Sequence, residues 1–516
     1  MYNLYKLPQK IIKTFSIIPK LVALIFIALL LQGCSKNFLD VNDDPNRVTD
    51  NNVTAELIFP AAEVAVGDLA VGSNAAGAGL KSPLQFSYNW IGYMAGNGGF
   101  AREYTETSYN IDFTFGDPLW QNYYNALFDL HQAKIKALAT GDTALAGASL
   151  VLSAKLFQEV ADTYGDVPYS QAFQVDKYQR TAYDKAADIY ASLLKSLDTA
   201  IIYLSANEPT AFAPVDIINH GDLNKWIKFA NTLRLRLLIR QSEVSGFNPA
   251  PEIAKIQNNG GVIGAGESIN VNPGFANETN KQSQFYANYG YTPTGNAATT
   301  SWNANSYIVD ILNNNNDPRI SRFFTPVNGI FVGDLYGDMP GNIPAASASS
   351  YFGPGLIGSA TQNQWILTSF ESMFLNAEAI ARGWLPGDAK SAYEAAVTES
   401  FIWLGVPDAA TAASDYLQNT AIANWDNAGT TKESQAAFIV FQKYIAMCCI
   451  DPLEAWADQR RLHFLPPGFI SVNTSKISNT LPVRLLYPQS EYTTNFANVS
   501  AEGKINQFTS KLFWQP

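Results

Sequence analysis

The chain has 516 residues and carries 34 Lys and Arg against 45 Asp and Glu, a formal net charge of −11. An acidic balance lacks the basic patches that meet phosphate, which argues against nucleic acid as a partner and against charge-driven binding to anionic lipid heads. Hydrophobic residues at 47% support a packed core, and three cysteines are too few for a disulfide framework.

The N-terminus reads as an export signal. Lys6, Lys10, Lys13 and Lys20 precede eleven unbroken apolar residues, Leu21 to Leu31, followed by Gln32-Gly33-Cys34. A basic segment, a short apolar segment and a small residue before cysteine form a bacterial lipoprotein signal. The apolar run falls short of the roughly 20 residues a membrane-spanning helix needs. Gln32 departs from the small residue usual at its position, so an uncleaved anchor or a plain secreted chain stays open. Lipidation at Cys34 would remove residues 1–33, leaving 483 residues with a net charge of −15. Ser35 stands where an aspartate holds lipoproteins in the inner membrane, which favours the outer membrane.

Residues 35–54 read as an extended tether, and 67–117, rich in Gly, Asn and Tyr, show poor helical periodicity. Apolar spacings of three and four then predict helices over 119–139 and 145–164, with a stop at Tyr164-Gly165-Asp166-Val167-Pro168. Further helices are expected over 183–205 and over 222–243, the latter with Asp222 as N-cap. Residues 247–365 form a loop-rich insert with a short helix near 302–312. Helices return at 368–383, 389–404, 433–449 and 451–462, and 465–516 is extended again. The fold class is therefore mainly α, about four tetratricopeptide-like helical hairpins with long irregular inserts. Such inserts are where binding usually resides.

Catalytic patterns are sparse. His131, His220 and His463 lack the spacing of a zinc helix, and neither a nucleophile elbow nor a phosphate-binding loop is present. Gly264-Ala265-Gly266 lacks the third glycine of a dinucleotide turn. Asp162 with Asp166, or Glu454 with Asp458, would in principle serve a glycosidase. The structural reading is stronger: Asp166 suits a turn, and Glu454 has Arg460 and Arg461 nearby. No enzyme is expected. Cys448 and Cys449 read as buried thiols in a helix. Asp40 to Asp44 resembles the start of a calcium loop, but Pro45 and Asn51 replace the glycine and glutamate an EF-hand requires. No cofactor is expected, although a looser calcium site of loop oxygens stays open.

Several segments carry a resemblance. Phe38-Leu39-Asp40-Val41-Asn42-Asp43-Asp44-Pro45-Asn46 follows the lipid cysteine, and Tyr164 to Tyr169 ends a helix. Trp226 to Arg236 bears arginines, and Glu371 to Gly383 contains Asn376-Ala377-Glu378-Ala379. Trp456 to Arg461 and Pro482 to Pro488, with Glu491 and Asn495, complete the series. Together they resemble the SusD/RagB family of Bacteroidetes outer-membrane lipoproteins. The resemblance implies one SusD-like nutrient-binding domain over 34–516, lipid-anchored and facing the cell exterior. It also implies a non-catalytic role in polysaccharide utilization, in which an oligosaccharide is handed to a SusC-like TonB-dependent transporter. Peptide is the alternative ligand, and a surface glycoside hydrolase a more distant one. Helical repeats would contact the transporter and loops on another face the ligand.

Arg234, Arg236 and Arg240 recur on one helix and, like Arg460, Arg461 and Arg484, are expected to tie buried carboxylates or carbonyls. For the ligand, flat rings beside amides suit sugar faces and hydroxyls. Trp90, Tyr93 and Asn97 form one such cluster, and Tyr286, Tyr289, Tyr291 and Trp302 a second. The two are expected to converge on one shallow surface, with packing of the loops as the competing role for each ring.

Overall fold

The computed structural model describes residues 53–72, 82–97, 104–206, 211–339 and 341–516. The signal segment, Cys34 and the Asp40–Asn51 stretch lie outside the described residues.

The first helices arise where expected. Helices α3 (Asp117–Thr140) and α4 (Thr143–Tyr164) pack antiparallel across a two-residue turn. On α3, Trp120, Tyr123, Leu127 and Leu130 are buried at steps of three and four. Gly141 ends α3 in the left-handed region (φ 84°), and the Asp142 side chain accepts from Leu145 N at 2.9 Å to start α4. Helix α4 is long and apolar enough to cross a membrane, yet 89% of its apolar window is buried inside the protein, which makes it a core helix.

Helix α5 (Ala186–Ser205) packs on α4, and α6 (Leu223–Arg240) on α5. Asp222 caps α6 by accepting from Lys225 N, as its position predicts. Asp166, expected to serve its own turn, instead accepts from Ala186 N at 2.8 Å and pairs with Lys185, so it caps α5. The third pair, α10 (Ser369–Ala381) and α11 (Ala389–Leu404), packs as expected, with α12 (Ala409–Asn419) against α11. Helix α13 (Lys432–Ala446) lies mainly on α10. Helix α14 (Pro452–Leu462) touches α13 but packs more extensively on α2 (Leu84–Trp90). The fold is thus mainly α, with tetratricopeptide-like hairpins. Cys448 and Cys449 are free and buried, in the turns after α13 rather than within it.

A buried web of charges joins these helices. Arg240 on α6 donates to Asp162 of α4 at 3.1 Å and to Glu454 of α14. Lys443 of α13 lies 2.7 Å from Glu454 and 2.9 Å from Asp458. Arg461 holds Glu378 of α10 through two bonds, at 2.6 and 2.9 Å, and Arg236 reaches Glu371 at 3.3 Å. Arg234 pairs with Asp198 and Glu252. Arg460 instead caps carbonyls, donating to Asp162 O and Val483 O, and Arg484 donates to Tyr164 O. The arginines behave as expected. The local partner expected for Glu454 is corrected: Arg240 and Lys443 hold it, while Arg461 turns to Glu378 and Asp458. Burial alone would raise the Glu454 pKa; Arg240 and Lys443 outweigh it and keep it well below its ordinary value.

The insert is not structureless. Helix α7 (Ala250–Asn258), strand β2 (Ile269–Val271), helix α8 (Gln284–Tyr289), strand β3 (Trp302–Ala304) and helix α9 (Ser306–Asn314) punctuate it. Strand β2 pairs antiparallel with β4 (Gln364–Leu367), and β3 with β1 (Met94–Gly96). Helix α1 (Ala55–Val71) lies on α3 and β4.

Candidate functional site

The stretch around residues 84–97 and the long insert do meet. In the β1–β3 ladder Met94 faces Ala304 and Gly96 faces Trp302. The Asn97 amide donates to Thr300 O, and Asn305 N donates to Tyr93 O at 3.0 Å. Two segments separated by some two hundred residues are locked in register, which fixes where α8 and its following loop stand.

The rings divide into two layers. Trp90 and Tyr93 belong to the core, both with 0% exposure. The Trp90 indole stacks on Phe115 (interplanar 6°) and meets Phe86 and Trp456 edge-on. The Tyr93 ring stacks on Tyr444 at 4.8 Å, and its hydroxyl donates to Tyr444 O at 2.6 Å. The expectation that these two rings share a ligand surface is therefore corrected. Their Gly- and Asn-rich neighbourhood resembles a surface loop in composition, but residues 84–90 are a short helix buried on nearly all sides. Asn97 is also buried, its amide engaged by backbone.

Trp302 and Tyr289 form the intermediate layer, buried and edge-to-face at 6.0 Å, each also edge-to-face with Tyr88. Phe352 and Phe285 close the cluster beneath Tyr289. Burial among these rings pushes the Tyr88 hydroxyl pKa well up, so it stays protonated and donates to Cys449 O. The outer layer is Tyr286, half-buried on α8, and Tyr291, 50% exposed just after it. Their rings lie 6.3 Å apart, tilted by 54°. Gln282 anchors the Tyr291 carbonyl at 3.0 Å, and Tyr351 holds the Tyr289 carbonyl at 2.8 Å. Beyond Tyr291, Thr292, Thr294 and Asn296 make an exposed turn of hydroxyls and amides. Rings backed by a rigid aromatic base, beside small polar side chains, can hold an amphipathic ring by stacking and hydrogen bonds.

Tyr88, Tyr351 and Phe352 were not singled out from sequence. The signal for Tyr88 was its position two residues before Trp90, which turns it toward the insert on the same short helix. Among the described residues no group of three or more His, Cys, Asp or Glu side chains is arranged to hold a metal ion.

A family model described as SusD-like, "Starch-binding associating with outer membrane", matches residues 82–488. The chain belongs to this SusD-like family. Its fold is similar to a SusD homologue from Bacteroides vulgatus ATCC 8482 (TM-score 0.72, 24% identity, 88% of this chain and 97% of that one). It is also similar to a SusD/RagB family protein from Bacteroides thetaiotaomicron VPI-5482 (TM-score 0.72, 20% identity, 90% and 99% covered). A chitin-binding SusD homologue from Flavobacterium johnsoniae aligns at TM-score 0.70 and 22% identity, over 88% of this chain and 98% of that one. No curated protein matches the chain. The SusD-like family is one of nutrient-binding proteins associated with the outer membrane, and its members are generally binding proteins, not enzymes.

Proposed function

We propose that this SusD-like protein is a lipid-anchored receptor on the cell exterior that captures a glycan and delivers it to a SusC-like TonB-dependent transporter. Residues 1–33 are removed, Cys34 carries the lipid, and residues 34–516 form one binding domain. The observation that carries the glycan reading is the Tyr286–Tyr291 pair, a half-buried ring beside a half-exposed one, next to the polar Thr292–Asn296 turn. The family's starch-binding description and the chitin-binding relative support a sugar over other nutrients. Tyr291 and Tyr286 contact the sugar; Tyr289, Trp302 and Asn97 hold those rings in place; Trp90 and Tyr93 support the floor from the core. No bond is made or broken.

Calorimetry with starch and chitin oligosaccharides, and with peptides of similar size, tests the reading. Stacking on an exposed aromatic is worth about 0.5–1.5 kcal/mol, so Tyr291→Ala weakens glycan binding by roughly threefold to tenfold. Binding of peptides alone, or glycan affinity unchanged in both Tyr291→Ala and Tyr286→Ala, would replace it. Mass spectrometry of the protein from membranes checks acylation at Cys34.

A further inference from the structure

A cavity of about 230 Å³ lies away from the insert, between α3, α4, α5 and the segment joining α4 to α5. Its aromatic walls are Phe157, Tyr169 and Phe173; polar groups come from three helices, His131 and Lys134 on α3, Ser153 on α4 and Ser196 on α5, and Ser170 and Gln174 of the joining segment add more.

Charge makes this cavity unusual in an acidic chain. The buried guanidiniums of Arg234, Arg236, Arg240 and Arg461 each face a carboxylate. The Lys134 side chain is half-buried and makes no hydrogen bond or ion pair with any described residue. Burial pushes its pKa down, with no carboxylate acting against that shift. His131, one turn earlier, is pushed down too, by burial first and by Lys134 second. The hydroxyls of Ser153 and Ser196 likewise have no hydrogen-bond partner among the described residues. A half-buried cation without an acid leaves a cost that an anionic ligand would relieve. Phe173 sits in the left-handed region at φ 65°, a conformation costly for a bulky side chain. That backbone sets its ring 5.4 Å from the His131 ring and against Phe157.

We propose that this cavity is a second ligand site, for a single sugar ring bearing a carboxylate. Lys134 meets the carboxylate, Ser153 and Ser196 meet ring hydroxyls, and Phe157 and Phe173 flank the apolar edge. The volume lies below that of drug-sized sites and suits one ring. A lone acidic side chain of a peptide would satisfy Lys134 but leave the two hydroxyls, on different helices, unmatched. The site rests on the glycan reading for its carrier and on the cavity for its charge.

Saturation-transfer NMR and calorimetry on the full chain, with glucuronate, glucose, acetate and a triglutamate peptide as probes, test it. Glucuronate is expected to bind at least about tenfold more tightly than glucose, since a hydrogen bond to a charged group carries that much, and more tightly than acetate, which keeps the carboxylate but lacks the ring and its hydroxyls. Lys134→Met loses about tenfold, and Ser196→Leu, which fills the cavity from another helix, does the same; a circular-dichroism melt establishes that each variant is folded. Tyr291→Ala leaves glucuronate binding unchanged, which separates this site from the insert surface. Absence of glucuronate binding, equal affinity for glucose, unchanged affinity in folded Lys134→Met, or preference for triglutamate would each overturn the proposal.

Discussion

Replacing Arg240 by Met tests whether the charge web holds the helical pairs together. The Arg240 guanidinium is 2% exposed, lies 3.1 Å from Asp162, bonds Glu454 and stands 3.7 Å from Asp458. Met keeps most of the volume but leaves Asp162 with Tyr190 and Trp514 as neutral partners, and Glu454 with Lys443 alone. Breaking a buried pair by removing one partner costs about 3–5 kcal/mol. Against a total stability of about 5–15 kcal/mol, that is a large fraction. Urea unfolding followed by tryptophan fluorescence measures it, and Trp514 is a local reporter because its indole lies 5.4 Å from the Arg240 guanidinium. If the cost arises partly from Glu454 losing one of its two cations, adding Glu454→Met should recover part of it. The double variant is then less destabilised than the sum of the singles, by about 0.5–3 kcal/mol. A loss below about 1 kcal/mol in Arg240→Met, or strictly additive losses, would refute the reasoning.

Acid should weaken the fold through Glu378. Burial favours its neutral form, but Arg461 and Arg382 outweigh that and hold its pKa at about 2, below the ordinary 4.5. A lowered carboxyl pKa stabilises above pH 4.5 and loses that contribution as pH falls toward 2, about 3 kcal/mol in all. The stability gap between the parent and Glu378→Gln, read by urea unfolding, is therefore expected to be full at pH 7 and to close over that window. Gly147→Val should destabilise, because a Cβ there would stand 2.9 Å from Leu204 Cγ and 3.0 Å from the Ala200 carbonyl; overpacking of this kind costs about 1–3 kcal/mol in the same assay. Trp90→Ala should cost about 3–5 kcal/mol of stability in the same assay, because its indole is fully buried against Phe86, Phe115 and Trp456, whereas Tyr291→Ala should leave stability nearly unchanged.

Helices α3, α4, α10 and α11 were legible because their apolar residues recur at three and four and their ends carry Gly, Asp or, in α10, Thr caps. Helix α1 was not: Pro60 lies inside it, and Leu57, Ile58, Val64 and Ala65, off its buried face, are apolar too, so the stripe Ala55, Phe59, Ala62, Val66 and Leu69 does not stand out in sequence. Helices α7 and α12, of 9 and 11 residues, are too short to separate from loop by pattern alone. The roles of Arg236 and Arg240 followed from three cations sharing one apolar helix, but their partners did not. Glu454 lies 214 residues from Arg240 in sequence, and no local rule could join them. At the candidate site, composition could not tell Trp90, packed in the core, from Tyr291, open to solvent. Both stand among Gly, Asn and Tyr, and only the packing of α2 on α14 separates them.

The web linking Asp162, Arg240, Glu378, Lys443 and Glu454 draws on helices from both sides of the insert. Arg236 and Arg240 lose Glu371 and Glu454 if the two sides are parted, and each side is left with buried charge that its own ions do not balance. A chain cut within 247–365 would thus yield two fragments that stay unfolded apart and regain structure only when mixed, and during export the polypeptide must be delivered whole before its interior can close.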